Sequence, residues 1–183
     1  MRRYHYIRIR RIDTEARYSR DEQTKRDRTC FSCCEMRSSG AIMRSVGSNN
    51  EQEVCVPVAS DNDLMTARRE GREMARQLGF SACEGTLVAT AISELTRNIF
   101  TYARHGKIHI RPISNSTRRG ITVVASDLGP GIADTRLAAQ AGYSTCGGRG
   151  LGLPGVRRIM DEFDISSQPG RGTTVTATKW KRP

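Results

Sequence analysis

A carboxylate and an amide are spaced one helical turn apart in an amphipathic segment of this chain. Glu94 and Asn98 are four residues apart, so a helix would place both side chains on one face. An amide oxygen is a hard ligand that suits Mg²⁺, and a carboxylate can accept a proton or orient a nucleophile. An exposed polar helix face has the same spacing, so this pair indicates magnesium chemistry only together with other motifs.

An aspartate stands at the end of a β-branched segment and is followed by two glycines. Asp127 at a strand end can present its carboxylate into a cleft and accept a hydrogen bond from the amino group of adenine, where guanine has a carbonyl. Gly129 and Gly131 allow a tight turn and a close approach of the backbone to a planar base. The segment therefore predicts either an adenine site or an ordinary turn.

A glycine-rich segment, Gly147–Gly152, opens a predicted helix with Pro154 in its first turn. Backbone amides at a helix N-terminus attract anions, so the segment predicts a phosphate-binding loop, with a flexible linker as the alternative. No parallel βαβ unit surrounds it and no Lys-Ser/Thr pair follows it, which excludes the Rossmann and P-loop motifs.

A hydroxyl group follows a glycine-rich turn near the end of the chain. Thr173 comes directly after Gly172 at the start of a predicted strand. Its hydroxyl could help to fix a base, directly or through water, although threonine after a hairpin turn also simply favours a strand.

In this order along residues 51–183, the four segments resemble the N, G1, G2 and G3 boxes of the GHKL superfamily. The resemblance implies an ATP site with Mg²⁺, in which Asn98 is the metal ligand and Glu94 the general base. It also implies that Asp127 reads adenine and that the segment 132–148 is a mobile lid over ATP. The other ATP-binding positions that it implies are Gly129, Gly131, Gly148, Gly150, Leu151, Gly152 and Thr173.

Three stretches narrow the resemblance to one group within the superfamily. Residues 93–103, 143–156 and 158–163 are similar to the stand-alone anti-sigma regulatory kinases, and especially to the switch serine kinases of stressosome pathways. The resemblance implies ATP-dependent phosphorylation of a serine or threonine on a STAS-domain antagonist protein. It also implies activation of a PP2C-type phosphatase by direct contact.

Two other functions are open at this point. An anti-sigma factor that sequesters a sigma subunit has the same four boxes, so the boxes do not separate it from a switch kinase. A basic nucleic-acid-binding protein would account for the net charge of +11 but leaves Glu94, Asn98 and Asp127 unexplained. Retention of a sigma factor, or salt-dependent retention on DNA, would identify each alternative.

Two predicted helices position the first motif. A β-branched strand at Val54–Val58 precedes a helix that Ser60 caps and that runs to about residue 78. A capping box formed by Ser81 and Glu84 starts the second helix, which we expect to end near Ala103. Its predicted buried stripe consists of Val88, Ile92, Leu95, Ile99 and Tyr102.

Strands and helices continue in pairs along the second half of the chain. The helices are expected near Asp134–Ala139 and from Leu153 to Glu162. The element order β-α-α-β-β-α-α-β-β predicts an α+β fold, a two-layer sandwich of a mixed β-sheet with helices on one face. The predicted strands are Lys107–Ile113, Ile121–Ser126, Phe163–Ser167 and Thr173–Lys179.

Positive charge is concentrated at the N-terminal end. Residues 1–50 hold 12 basic and 6 acidic residues, a net of +6 out of the +11 carried by 183 residues. Because this segment has no sustained periodicity, we predict a basic, disordered extension, 1–50, and a GHKL ATP-binding serine kinase domain, 51–183. Met43 is an alternative natural start, since ordered-looking sequence begins shortly after it.

Targeting and membrane signals are absent from the sequence. No apolar run is long enough to span a bilayer, and the basic N-terminus is not followed by the apolar region of a secretion signal. We therefore expect a cytoplasmic protein whose six cysteines are reduced and do not form a zinc site.

Overall fold

A seven-stranded β-sheet organises the fold. The computed structural model describes residues 7–10, 42–46, 52–139 and 152–182. The strands are β1 (Ile7–Arg10), β2 (Met43–Val46), β3 (Gln52–Val58), β4 (Gly106–Ser114), β5 (Arg119–Asp127), β6 (Glu162–Ser167) and β7 (Thr173–Trp180). Their order is β1-β6-β7-β5-β4-β3-β2, and every neighbouring pair is antiparallel.

The α+β class is confirmed, but the prediction of a mixed sheet is wrong. Between β3 and β4 the chain forms α1 (Asp61–Gln77) and α2 (Ala82–Asn98). A pair of helices crosses the sheet once in each direction, so the next strand runs antiparallel to the last. Between β5 and β6 lie α3 (Thr135–Ala138) and α4 (Gly152–Ile159), and here the two strands run in the same direction. They are not neighbours, because β7 lies between them.

One face of the sheet carries the core. Val56, Ile108, Ala125, Val175 and Ile165 are consecutive partners across five strands, and all five are buried. Side chains alternate between the two faces of a strand, and directly paired residues on adjacent strands share a face. These five side chains therefore point to the same side of the sheet. The helices cover that side and contribute Ala67, Val88, Ile92, Leu95 and Val156 to the same core.

Helix α2 begins as predicted but ends differently. The Glu84 N–H donates to Ser81 Oγ at 3.2 Å, and the Ser81 N–H donates to Glu84 Oε2 at 2.9 Å. After Asn98 the helix widens into a π-helical turn, Ile99–Ala103. A π turn has more residues per turn than an α-helix, so residues within it leave the stripe that a 3.6-residue period predicts. Tyr102 is therefore 47% exposed, whereas the other members of the predicted stripe are buried.

Helix α4 is shorter than predicted. It ends at Ile159, and Glu162 already belongs to β6. The Asp161 carboxylate accepts hydrogen bonds from the Trp180 N–H at 2.8 Å and from Lys179 Nζ at 2.9 Å. These contacts hold the turn against β7 and end the helix early.

Within the part of the chain that the structure describes, no helix is long and apolar enough to cross a membrane.

Two strands lie in the segment that was expected to be disordered. Strand β1 pairs with β6 and β2 pairs with β3, so they form the two edges of the sheet. Without β1 and β2, the strands β6 and β3 would be the edges and would expose unpaired backbone N–H and C=O groups. A short segment can pair with such groups through its backbone alone, so β1 and β2 need no long hydrophobic pattern. The sheet therefore begins upstream of residue 51, which the sequence pattern did not indicate.

Helix α2 should lose part of its N-terminal stabilisation in acid. The hydrogen bond from the Ser81 hydroxyl, at 2.7 Å, keeps the pKa of the Glu84 carboxyl below its ordinary value of 4.5. Because the folded-state pKa is depressed, this contribution is present above pH 4.5 and is lost as the pH falls below it.

We expect Glu84→Gln to lower the free energy of unfolding at neutral pH by roughly 0.3–1 kcal/mol, because the amide can still accept the Ser81 N–H bond but carries no negative charge at the helix N-terminus. The variant should also show a weaker decline in stability between about pH 5 and pH 3. Urea unfolding of both proteins across this range is the measurement. Identical pH slopes would contradict a stabilising Glu84 carboxylate.

Candidate active site

Two of the predicted base-binding residues meet at the ends of adjacent strands. Asp127 is the last residue of β5 and pairs with Thr173, the first residue of β7. Asp127 Oδ1 accepts hydrogen bonds from the backbone N–H of Gly129 at 2.8 Å and of Thr173 at 3.2 Å. Oδ2 receives no hydrogen bond from the described residues, so one oxygen of this carboxylate is available to a ligand.

Two glycines allow the turns around Asp127 to pack together. Gly131 and Gly172 have φ angles of +71° and +83°. A Cβ at Gly131 would overlap the Gln168 carbonyl oxygen, and a Cβ at Gly172 would overlap that of Asp127. The turn after β5 therefore lies directly against the turn between β6 and β7. The structure gives Gly131 a packing role, and the close approach of Gly131 to a base stays a prediction.

The same turn also contacts the helix that carries the first motif. A Cβ on Gly129 would lie only 2.6 Å from the Cβ of Ala103, in the π turn. Because this π turn directly follows Asn98, it connects the end of α2 to the Asp127 turn. The predicted adenine motif and the helix motif, which are about thirty positions apart in sequence, are thereby held next to each other.

Ser167 belongs to this cluster, although the sequence analysis did not include it. Its hydroxyl donates to the Gly172 carbonyl at 2.8 Å and accepts from the Ile132 N–H at 2.8 Å. Its oxygen also lies 2.9 Å from Thr173 Oγ1. The signal that could have found it was the predicted hairpin, which makes Ser167 and Thr173 partners across the turn.

Glu94 and Asn98 lie one turn apart on α2, and both are partly buried. Glu94 Oε2 accepts a hydrogen bond from the N–H of Gly152, the first residue of α4, at 3.0 Å. A carboxylate at a helix N-terminus is stabilised by the helix dipole. Glu94, predicted from the N box, and Gly152, predicted from the G2 box, are thus in direct contact. Three predicted phosphate-binding positions lie outside the described residues: Gly148, Gly150 and Leu151. The predicted lid also lies outside them from residue 140 onward.

The amide oxygen of Asn98 and the carboxylate of Glu94 suit a cation that is held mainly by phosphates. Within the described ranges, no cluster of three or more His, Cys, Asp or Glu side chains could hold a metal ion by itself. Mg²⁺ usually keeps several waters and takes one or two protein oxygens together with substrate phosphates. An amide oxygen at Asn98, one turn from the Glu94 carboxylate, fits that pattern.

Comparison with known proteins identifies the family. Residues 58–179 match the family of histidine kinase-like ATPase domains. The serine/threonine-protein kinase RsbT of Bacillus subtilis (strain 168) is 45% identical over 133 residues, which cover 73% of this chain and 99% of RsbT. This chain belongs to the histidine kinase-like ATPase family, the class to which the GHKL resemblance pointed.

Two more distant similarities complete the comparison. An anti-sigma F factor from Caldanaerobacter subterraneus subsp. tengcongensis is 32% identical over 136 residues, 72% of this chain and 94% of that protein. The solved structure of the mycobacterial sensor histidine kinase MprB is similar over 69% of this chain and 97% of its own, with 18% identity and a TM-score of 0.44.

The family relationship decides several of the predictions. The prediction of a GHKL-type, ATP-using domain is confirmed, and so is that of a serine/threonine-protein kinase. The roles of individual residues stay predictions, because a match of whole sequences does not assign a function to a particular side chain.

Gly172→Ala should separate β7 from Asp127, whereas Gly170→Ala should not. Both glycines have positive φ angles, +83° and +74°, but a Cβ at Gly170 would have no atom within 4 Å. We expect the backbone strain to cost about 1–2 kcal/mol in each variant. The overlap with the Asp127 carbonyl should add a further loss only in Gly172→Ala.

Urea unfolding measures this difference, and nucleotide binding should weaken in Gly172→Ala alone. Equal losses of stability in the two variants would show that the close contact with Asp127 is relaxed without cost.

Proposed function

We propose that this protein phosphorylates a serine or threonine of a STAS-domain antagonist protein in a cytoplasmic partner switch, with ATP as the phosphate donor. Once released from the antagonist, it activates a PP2C-type phosphatase by direct contact. The observation that carries the proposal is the 45% identity to RsbT across 99% of that kinase. The order of the four boxes supports it, as do the contacts of Thr173 with Asp127 and of Gly152 with Glu94.

The base-binding end of the proposed site consists of Asp127 and Thr173. Two backbone amides hold Asp127 Oδ1, so Oδ2 has a defined position for the 6-amino group of adenine. A hydrogen bond to a charged acceptor contributes about 1.5–3 kcal/mol. A base with a 6-oxo group would instead place its oxygen against the carboxylate, which disfavours it.

The phosphate end consists of Asn98, Glu94 and the N-terminus of α4. Asn98 would hold Mg²⁺, which when bound neutralises part of the phosphate charge. The backbone N–H groups that begin α4 attract phosphate oxygens. One of them, on Gly152, now donates to Glu94 at 3.0 Å. Phosphate at this position competes with that hydrogen bond and leaves the Glu94 carboxylate free to face the substrate hydroxyl.

The proposed reaction is an in-line transfer. The oxygen of the substrate hydroxyl forms a bond to the γ-phosphorus while the bond from that phosphorus to the β–γ bridging oxygen breaks, and ADP leaves with the electron pair. Glu94 takes the hydroxyl proton, a contribution of roughly 10²–10⁴-fold for a positioned base. Positioning and electrostatic stabilisation account for the rest, since phosphoryl transfer needs little covalent chemistry from the protein.

A second candidate function is sequestration of a sigma factor. It is favoured by the 32% identity to an anti-sigma F factor, which extends over 94% of that protein. The two functions differ in the partner protein that the chain must bind. Immobilised protein loaded with ATP or ADP should retain a STAS-domain protein under our proposal, and a sigma subunit of RNA polymerase under the alternative.

Asn98→Ala should lower phosphotransfer to a STAS-domain protein by about 100-fold or more, because loss of the metal ligand removes several kcal/mol of charge stabilisation. The assay follows γ-labelled ATP in the presence of Mg²⁺. Asn62→Ala, on the exposed surface of α1, is the matched control and should transfer phosphate at the wild-type rate. Wild-type turnover by Asn98→Ala would remove Asn98 from the metal site.

Asp127→Asn should weaken ATP binding by about 1.5–3 kcal/mol. The amide can still accept the Gly129 and Thr173 N–H bonds through its oxygen, but it then presents an NH₂ group where Oδ2 was. Isothermal titration calorimetry measures the loss, with the exposed Asp61→Asn as control. An unchanged ATP affinity, with the fold intact by circular dichroism, would place the base elsewhere.

A further inference from the structure

Strands β1 and β2 lie at opposite edges of the sheet, although β2 is the next described strand after β1. Arg10 ends β1 beside β6, and Met43 begins β2 beside β3. With seven strands in this order, the two edges are about 29 Å apart at roughly 4.8 Å per strand spacing. Residues 11–41, the linking segment, must therefore run from one edge of the sheet to the other. An extended chain needs only about nine residues for this distance.

One face of the sheet carries none of the described helices. Helices α1, α2 and α4 pack on the opposite face through Ala67, Val88 and Val156, and Ala139 at the end of α3 joins the same core. Side chains alternate along each strand, and direct partners on neighbouring strands share a face. The residues that alternate with the core row therefore form the helix-free face, which includes Cys55, Arg111, Thr122, Ser126, Ser166 and Thr178.

The centre of the helix-free face is nevertheless buried. Arg111, Thr122 and Thr178 are consecutive partners across β4, β5 and β7, and they are only 8%, 3% and 5% exposed. The hydroxyls of Thr122 and Thr178 lie 3.1 Å apart. Ser166, on the same face of β6, is exposed. A face of an antiparallel sheet that nothing covers is in contact with water. A part of the chain other than the described helices therefore shields these three side chains.

The connections of the chain indicate which part this is. Residues 47–51 join the adjacent strands β2 and β3, and residues 140–151 join α3 to α4 on the other face. The linking segment, in contrast, begins at one edge of the sheet and ends at the other.

The outer surface of the helices is not shielded in the same way. Met65 on α1 is 61% exposed, and Arg72 on α1 and Cys83 at the start of α2 are also exposed. A segment that crossed outside the helices would bury part of this surface. It would also leave Thr122 and Thr178 in contact with water. The pattern of burial therefore favours the helix-free face as the route of the linking segment.

The charges of the linking segment match those of the helix-free face. The segment holds seven basic and six acidic residues, so its charges nearly cancel, and it contains every acidic residue of the first fifty. The helix-free face also carries both signs, with Lys107 and Arg111 on β4, Glu53 on β3 and Asp164 on β6. A charged group that is removed from water needs an opposite charge or hydrogen-bond partners. A segment with both signs can supply them to such a surface.

We propose that the linking segment crosses the helix-free face of the sheet and shields it from water, from partner proteins and from a second copy of the chain. The segment lies upstream of the family match, which begins at residue 58. It is therefore a layer added to the part of the chain that matches the family, and not a basic arm directed at nucleic acid. This inference is independent of the proposed kinase reaction.

Cross-linking of the full wild-type chain tests the route directly. A carbodiimide joins a lysine amine to a carboxylate only when the two groups are in contact. Lys107 lies on the helix-free face, whereas Lys181 lies on the helix side, close to Gly79 at the end of α1. After digestion, mass spectrometry should find Lys107 linked to acidic residues of the linking segment and no such link from Lys181. Links from Lys181 instead, or no link from Lys107, overturn the inference.

An isotope mixture separates the chain's own segment from that of a second copy. The cross-linking is repeated on an equal mixture of unlabelled and ¹⁵N-labelled protein. Links within one chain join two unlabelled or two labelled peptides, and we expect only these. Links that join an unlabelled to a labelled peptide would show that a second copy covers the face, which overturns the inference. Lys107→Arg keeps the charge but has no reactive amine, so this variant should lose the link.

A substitution beneath the proposed cover gives a second test. Thr122→Arg places a long charged side chain at a buried position and should displace the linking segment. Alkylation of the buried Cys55 thiol, on the same face, should then become about tenfold faster or more, because local opening becomes easier. The exposed Cys83 is the internal reference and should react at an unchanged rate.

Ser166→Arg is the matched control, since Ser166 is an exposed position on the same face, and it should leave the reactivity of Cys55 unchanged. An unchanged Cys55 rate in folded Thr122→Arg overturns the inference. If Thr122→Arg does not fold, the cross-links of the wild-type chain decide.

Discussion

The arrangement of the site depends on one oxygen atom that two segments share. Asp127 Oδ1 accepts one backbone N–H from the turn that follows β5 and one from the first residue of β7. Hydrogen bonds to an ionised acceptor are roughly twice as strong as those between neutral groups. The shared oxygen therefore holds the turn and the strand at one point, and it determines where the second oxygen of the carboxylate lies.

This contact is possible only because the backbone can come unusually close. Gly172 has a positive φ and no side chain, and it lies against the Asp127 carbonyl. The register of β5 and β7 makes Asp127 and Thr173 partners, and the buried row that includes Ala125 and Val175 maintains that register. A shift by one residue would turn those apolar side chains to the opposite face. The hydrophobic core therefore positions the polar site at the end of the sheet.

The carboxylates of Asp127 and Glu94 have the same pattern of hydrogen bonding. Each carboxylate uses one oxygen for a backbone N–H of a neighbouring element, and the other oxygen receives no hydrogen bond from the described residues. The hydroxyl of Ser167, in contrast, is fully occupied by its neighbours. The two carboxylates are thus suited to contact a ligand, whereas the Ser167 hydroxyl has no hydrogen-bonding capacity left for one.

The sequence by itself determined the features that depend on neighbouring residues. The capping box of Ser81 and Glu84, the spacing of Glu94 and Asn98, and most strand positions follow from contacts within a few residues, and they could be predicted for that reason. The family, and with it the ATP-binding kinase class, followed from motifs that could be recognised in order along the chain.

Only the tertiary structure decided the features that join distant segments. These are the fully antiparallel sheet, the edge strands β1 and β2, the exposure of Tyr102 in the π turn, the contact of Glu94 with Gly152, and the place of Ser167 in the site. Each depends on which backbone groups face one another after the helices have packed on the sheet. Local patterns show which side chains are buried, but not which strand or turn will lie opposite them.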